Sequence, residues 1–375
     1  MRLEFWGYSR TGGDVGTRNA VAVIASVICS TVPVQEIARR VPGAVAVVHP
    51  FGCSQVGDDL SQTRRTLVGV AANPNVRAAL IVGLGCETNQ ARQLAARIPA
   101  TKPVEVVGIQ DVGGSDVAAR IGIEIAERFV LEGKGEERVL HDAAGLSVGV
   151  LGLDADECVY STVYPAVSWV VDRLVEAGAR VIVGLTGRLA PAASALLERA
   201  QTDLAQERLR GLAQGFSRKA WADASQGVTT VRSWTDEERE RAEREVLIAG
   251  GTEVREVVAY AERPKEPGLS LMTVPQDPVE ALTGLLAGGA NVILVASSRG
   301  LFSGVVAVPT LVVAPKPARP SALDEFVDHH VGTGDVALEG QRLLAALLEV
   351  ASGAQCSAER EEIGQFAISQ LWTPF

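Results

Sequence analysis

Ala20-Val-Ala-Val-Ile-Ala25 is a short apolar run of small and β-branched residues, followed at once by a polar loop with a cysteine, Ser26-Val-Ile-Cys29-Ser. The same order of residues returns twice. Ala44-Val-Ala-Val-Val48 leads into His49-Pro-Phe-Gly-Cys53-Ser-Gln55, and Ala78-Ala-Leu-Ile-Val82 leads into Gly83-Leu-Gly-Cys86-Glu87-Thr-Asn89-Gln90. Segments between these runs, such as Val34 to Arg40 and Leu60 to Ala71, read as helices. Apolar runs of strand length alternating with helices predict an α/β sheet whose parallel strands are covered on both faces. Val104-Glu-Val-Val-Gly108 supplies a fourth strand. In open sheets of this kind ligands gather beyond the carboxyl ends of the strands, and each of the three cysteine loops occupies that position.

Further along, a helix is expected from Val112 to Leu131, followed by the polar, glycine-bearing stretch Glu132-Gly-Lys-Gly-Glu-Glu-Arg138, which reads as a linker. A second pattern then begins, with strands at Leu146 to Leu151, Arg180 to Gly184, Asn291 to Val295 and Pro309 to Val313, and a helix from Pro165 to Ala177. The expectation is an α/β protein of two α/β domains, residues 1–138 and 139–375, each with a mainly parallel sheet flanked by helices. Trp234 to Glu245, dense in Glu and Arg at helical spacing, reads as a solvated helix face held by i,i+4 pairs.

Composition narrows the function. The chain has 375 residues, enough for a sizeable core, and its 45 acidic against 35 basic side chains give a formal charge of -10, which argues against a nucleic-acid partner. Five cysteines, an odd number far apart in a large chain, point to free thiols or metal ligands in a reducing compartment. The start, Met1 to Tyr8, lacks the apolar run of a signal peptide, and no stretch near it reaches the ~20 residues of a membrane span. A cytoplasmic protein is expected.

The candidate chemistry lies in the three loops. Thiolates suit iron or zinc, yet the cysteine spacings match no zinc ribbon, and buried packing is the competing reading for each thiol. His49 could exchange a proton near neutral pH or merely cap a carbonyl. Gly83-Leu-Gly85 and the glycines from Gly7 to Gly16 allow close backbone approach to a ligand, but neither is a dinucleotide fingerprint. Arg18, Arg64 and Arg65 could grip a carboxylate bidentately or form surface ion pairs.

Four motifs in order carry a resemblance. They are Gly7-Tyr-Ser-Arg10 with Gly16-Thr-Arg18-Asn19; His49 to Asp59, running on to Arg64-Arg65-Thr66-Leu67; Asn73-Pro-Asn-Val76; and Gly83 to Gln90. With them the chain resembles the altronate and galactarate dehydratases and the related large subunit of sulfolactate sulfo-lyase. Weaker matches continue through Pro165-Ala166, Asp172-Arg-Leu-Val, Gly227-Val-Thr-Thr230, Asp277-Pro-Val, Ala287-Gly-Gly-Ala-Asn291, Arg299-Gly300, Asp328 and Ala351-Ser-Gly353.

The resemblance implies a lyase that eliminates water from a sugar acid or similar hydroxy carboxylate, assisted by Fe2+ or another divalent metal, or by an iron-sulfur cluster. It implies proton transfer by His49 or Asp59 with Gln55 beside them, and metal ligation by Cys29, Cys53 and Cys86. Substrate contacts would come from Arg18, Asn19, Arg64, Arg65, Glu87, Asn89, Gln90 and Arg299. The small N-terminal domain of fused members is not found, so a separate small subunit is implied, and a homo-oligomer is the usual expectation. Departures cluster in the second half. Gly152-Leu-Asp-Ala-Asp156 stands where the family has Cys-Gly-Gly-Ser-Asp, and Asp223-Ala-Ser-Gln226, Thr273-Val-Pro-Gln276 and Ala296-Ser-Ser-Arg-Gly-Leu301 replace other polar loops. Gly12 and Asp14 likewise stand where the family has Asp and Arg. The alternatives are a carbon-sulfur lyase large subunit and a non-catalytic paralogue that binds an active relative.

Overall fold

The computed structural model describes residues 3–53, 55–153, 156–219, 235–319 and 322–371. Ser54, Asp154, Ala155, Asp223 to Thr230 and Trp234, all singled out above, lie outside the described residues. The chain opens with β1 (Glu4–Ser9) antiparallel to β2 (Val15–Gly16). Next come β3 (Ala20–Ala25), β4 (Ala44–Val47), β5 (Val76–Gly83) and β6 (Val104–Gly108), all parallel in the order β4-β3-β5-β6. Strand β7 (Val139–Asp142) then returns to pair antiparallel with β1.

The second half builds a seven-stranded parallel sheet. It uses β8 (Ser147–Gly152), β9 (Arg180–Leu185), β10 (Val254–Val258), β11 (Gly268–Thr273) and β12 (Val292–Ala296). After the short β13 (Gly304–Val305) come β14 (Thr310–Pro315) and β15 (His329–Val331), and β16 (Gly364–Gln365) pairs with β13. The order is β10-β11-β9-β8-β12-β14-β15. The fold is α/β, with parallel sheets covered by helices.

Strand alternation sorts the core into layers. On β3, Val21, Val23 and Ala25 face a core shared with Ile37 and Phe129 of the helices Thr31–Arg40 and Ser115–Gly133. Ala22 and Ile24 face the other way, into a core that also holds Leu67 of the helix Gly57–Ala72, Leu285 of the helix Pro278–Ala287, and Ile293 and Val295 of β12. Those two helices therefore form a middle layer between the sheets. They touch closely: a Cβ at Gly69 would stand 2.3 Å from the carbonyl oxygen of Ala287. The far face of the large sheet, with Val292 and Leu294, packs on the helices Tyr164–Glu176 and Val336–Ala351.

Buried amides lock the two halves together. Asn73 Nδ2 donates to the carbonyls of Leu286 and Ala290, both at 2.8 Å, and Asn75 Nδ2 to those of Asn291 and Ala307. Asn75 Oδ1 accepts the Thr17 N–H at 2.7 Å, and Asn291 Nδ2 donates to Val15 O. The family motif Asn73-Pro-Asn-Val76 and the Asn291 turn are thus a structural joint, since a buried amide with these partners has no capacity left for a ligand.

Two expectations are corrected here. The helix expected from Val112 to Leu131 is broken at Gly113 and Gly114, whose φ of +91° and +139° interrupt helical geometry. The stretch from Glu132 to Arg138 is no free linker. Glu136 accepts from Arg10 and Arg77, and Arg138 donates to the carbonyls of Trp6 and Thr17. Glu132 and Glu136 are ion-pair partners of Arg77.

Candidate active site

In the small sheet the chain passes from β3 outward to β4 and then crosses to β5, so the switch point lies between the carboxyl ends of β3 and β5. The loops after β3, β4 and β5 meet there and are stitched to one another. Ile28 N–H donates to Phe51 O at 2.9 Å, Thr88 N–H to Gly52 O at 3.1 Å, and Ser26 Oγ to Glu87 Oε1 at 2.8 Å. Gly52 is required where these loops touch: its φ is +122°, and a Cβ would lie 2.8 Å from Val27 Cα. Glu87, 2% exposed, also accepts the Gly85 N–H at 2.6 Å through its other oxygen. It fastens the loops and is not open to substrate.

His49 lies beneath this edge. Its Nε2 bonds the Ala25 carbonyl at 2.9 Å and its Nδ1 accepts the Phe51 N–H at 3.2 Å, an arrangement that fits one neutral tautomer. Burial pushes its pKa down to about 4. In this arrangement both ring nitrogens are engaged by the backbone, so His49 holds the loop after β4 against the end of β3.

Cys29, Cys53 and Cys86 are all exposed, whereas Cys356 is buried in the core. Packing accounts for Cys356 and not for the three loop thiols. Cys53 lies within hydrogen-bonding reach of Cys29 and feels Cys86 and Glu87; desolvation first, then Cys29, raises its pKa. Among the described residues no three His, Cys, Asp or Glu side chains are grouped tightly enough to hold a metal ion. The thiols fit a thiophilic metal in chemistry and in their shared location, not in closed geometry.

Polar groups without partners stand on the segments next to these thiols. Gln55, on the segment that enters the helix Gly57–Ala72, is buried with both amide atoms unpartnered. Asn89, 1% exposed, accepts from Arg64 Nε at 3.1 Å, but its own Nδ2 donates to nothing. Arg64 has no acceptor for its terminal nitrogens among the described residues. Thr63 Oγ1, one residue before it, is buried and unpartnered too. Unsatisfied buried groups are rare in native proteins and call for a ligand or water. Thr63 was missed because a threonine inside a helix carries no sequence signal of this kind.

The remaining candidates have partners of their own. Asp59 Oδ1 accepts the Leu371 N–H at 2.6 Å and Gln62 Nε2 donates to Ser369 O, so the C-terminal segment lies against this helix. Gln90 Nε2 donates to the carbonyls of Glu87 and Gly85. Arg65 Nε donates to Tyr260 O, tying the helix to the second half, and burial lowers its pKa. Arg299 is exposed beyond β12 on the large sheet. Arg18 and Asn19 sit before β3, at the opposite end of the strand from the cysteines. All five Arg18 N–H groups have acceptors: two on Glu359 and the carbonyls of Thr17, Val350 and Ala354. Asn19 bonds Arg10 and Gly133 O. In this structure Arg18 and Asn19 tie the entry to β3 to the C-terminal segment and to Gly133.

A doubly wound sheet whose switch-point loops bring thiols and unpartnered polar groups to one edge defines an α/β enzyme. The second-domain profile of D-galactarate dehydratase/altronate hydrolase matches residues 7–134, and the D-galactarate/altronate dehydratase C-terminal profile matches residues 144–373. The chain belongs to the D-galactarate dehydratase/altronate hydrolase family, and it is a lyase. It is 26% identical to the (2R)-sulfolactate sulfo-lyase subunit beta of Chromohalobacter salexigens over 98% of this chain and 97% of that one. It is 24% identical to the altronate dehydratase of Escherichia coli over 96% of this chain and 76% of the relative. The galactarate dehydratase (L-threo-forming) of Escherichia coli is 26% identical over 93% and 73%. Among solved structures, the E. coli ADP-heptose LPS heptosyltransferase II aligns over 92% of this chain and 99% of its own at 10% identity and a TM-score of 0.24, too slight a likeness to carry any argument. No helix among the described residues is long and apolar enough to cross a membrane.

Proposed function

We propose that the chain is a sugar-acid dehydratase whose reaction takes place at the carboxyl edge of β3 and β5. The reading rests on one observation: next to the thiol loops, Arg64 and the buried amide of Asn89 hold each other while their remaining N–H groups find no acceptor among the described residues. A hydroxy carboxylate supplies such acceptors. Arg64 would bind the carboxylate with its terminal nitrogens, and Asn89 Nδ2 with the Gln55 amide would hold neighbouring hydroxyls. Asp59, with Oδ2 uncommitted among the described residues, is the proton acceptor of this reading, because elimination begins with loss of the proton beside the carboxylate. Iron held by Cys29, Cys53 and Cys86 would supply positive charge for the enolate oxygens and the departing hydroxyl. Residues 1–138, as the first domain, would carry every one of these groups.

Anaerobic protein loaded with ferrous iron should convert altronate or galactarate to the corresponding keto-deoxy acid. Arg64→Met should raise KM at least tenfold with its melting temperature little changed. Absence of turnover with either acid, or an unchanged KM in the variant, would overturn the reading. A carbon-sulfur lyase is the second reading, supported by the 26% identity to the sulfo-lyase subunit over 98% of this chain. Release of sulfite from sulfolactate, in the presence of a small partner subunit, distinguishes it.

A further inference from the structure

At the amino edge of the small sheet, a cavity of about 370 Å³ is walled by the β1-β2 turn, the start of β5 and the turn before β6. Its charged lining comprises Arg10, Arg77, Lys102 and Arg263 against Asp14 and Glu136. That is an excess of two cations in a chain of formal charge -10. One carboxylate, Glu136, serves both Arg10 at 2.9 Å and Arg77 at 2.8 Å, and Asp14 is taken by Arg263 at 2.5 Å. Lys102 Nζ donates to the carbonyls of Asn73 and Val76 and has no ion-pair partner among the described residues. Arg180, close enough to feel Arg263 and Asp14, has a buried Nε with no acceptor.

A half-buried ammonium without a counter-ion is unfavourable, and while Arg10 spends its other donors on Pro74 O, Arg18 O and Asn19, Arg77 keeps terminal N–H groups whose one further partner among the described residues is Glu132 at 3.5 Å. Both deficits are removed by the same kind of molecule. We propose that this cavity is a binding site for a small dianion bearing phosphate or carboxylate groups. The site is distinct from the catalytic edge. Val76–Gly83 spans β5 between the two, and the steps between its eight residues at about 3.3 Å each put roughly 23 Å between its ends. The ligand is therefore an effector and not the substrate. The charged groups facing Lys102 are Arg10, Asp14, Arg263 and Glu136, with burial the largest influence, and together they lower its pKa to about 7. An anion arriving there restores the proton.

Calorimetric titration of the full chain at low salt, with inorganic phosphate and separately with succinate, tests the proposal and distinguishes the two ligand types. At least one anion should bind once per chain, with proton uptake seen as a heat that depends on the buffer. Arg263→Glu should weaken binding tenfold or more, and Lys102→Met should abolish the proton uptake. Arg263 lies at the surface, so its variant decides the matter even if the Lys102 variant does not fold. The proposal is overturned if neither anion binds at millimolar concentration, or if Arg263→Glu binds as tightly as the parent chain.

Discussion

Replacing His49 with Gln separates a loop fastener from a proton carrier. In the folded chain both ring nitrogens are bonded, and burial holds the pKa at about 4 against the ordinary 6.5. The unfolded chain takes up a proton at His49 near pH ~6.5 while the folded chain resists until about 4. The stability tied to neutral His49 is thus complete above the unfolded value and is lost as pH falls toward the folded one. At about pH 5, with roughly 1.36 kcal/mol per unit, the loss comes to about 2 kcal/mol. Urea unfolding of parent and His49→Gln at pH ~7.5 and pH ~5 should therefore show a deficit of the variant that shrinks by about 2 kcal/mol at the lower pH. The reasoning is refuted by a deficit equal at both pH values, or by an imidazole NMR signal of His49 that titrates near the ordinary value.

Asn75→Ala removes the amide that joins Thr17, Asn291 and Ala307, and leaves buried carbonyls unpaired. It should cost about 3 kcal/mol in denaturant unfolding, with little change in KM. Arg18→Met strands Glu359 and three carbonyls, so it should destabilise by about 3 kcal/mol, and a thermal melt beside a KM measurement should show stability falling while substrate affinity holds.

The parallel strands were legible in the sequence because they are buried on both faces. Ala20–Ala25 is an unbroken run of alanine and β-branched residues and ends where expected. Strands β1 and β7 were not legible, since Glu4–Ser9 alternates exposed and buried residues and its partner follows more than a hundred residues later. That the three cysteine loops leave the carboxyl ends of neighbouring strands was readable from their repeated place after an apolar run. The roles of His49, Arg18 and Asn19 were not, because a side chain's identity fixes what it can bond and only the fold fixes what it does bond. Each has found protein partners that residue type alone does not foretell. Asn89 and Gln55, which only the resemblance singled out, are the converse: their residue types do not mark them, and the deficit appears only once burial is known.

Iron bound by anaerobically purified protein, measured alongside turnover for the parent and for Cys53→Ser, tests the central claim most directly. The account predicts stoichiometric iron and chelator-sensitive activity in the parent, both lost in the variant while its circular dichroism and melting temperature remain those of the parent. Full activity in a chelator with no bound metal, or a Cys53→Ser variant that keeps both iron and turnover, would contradict it.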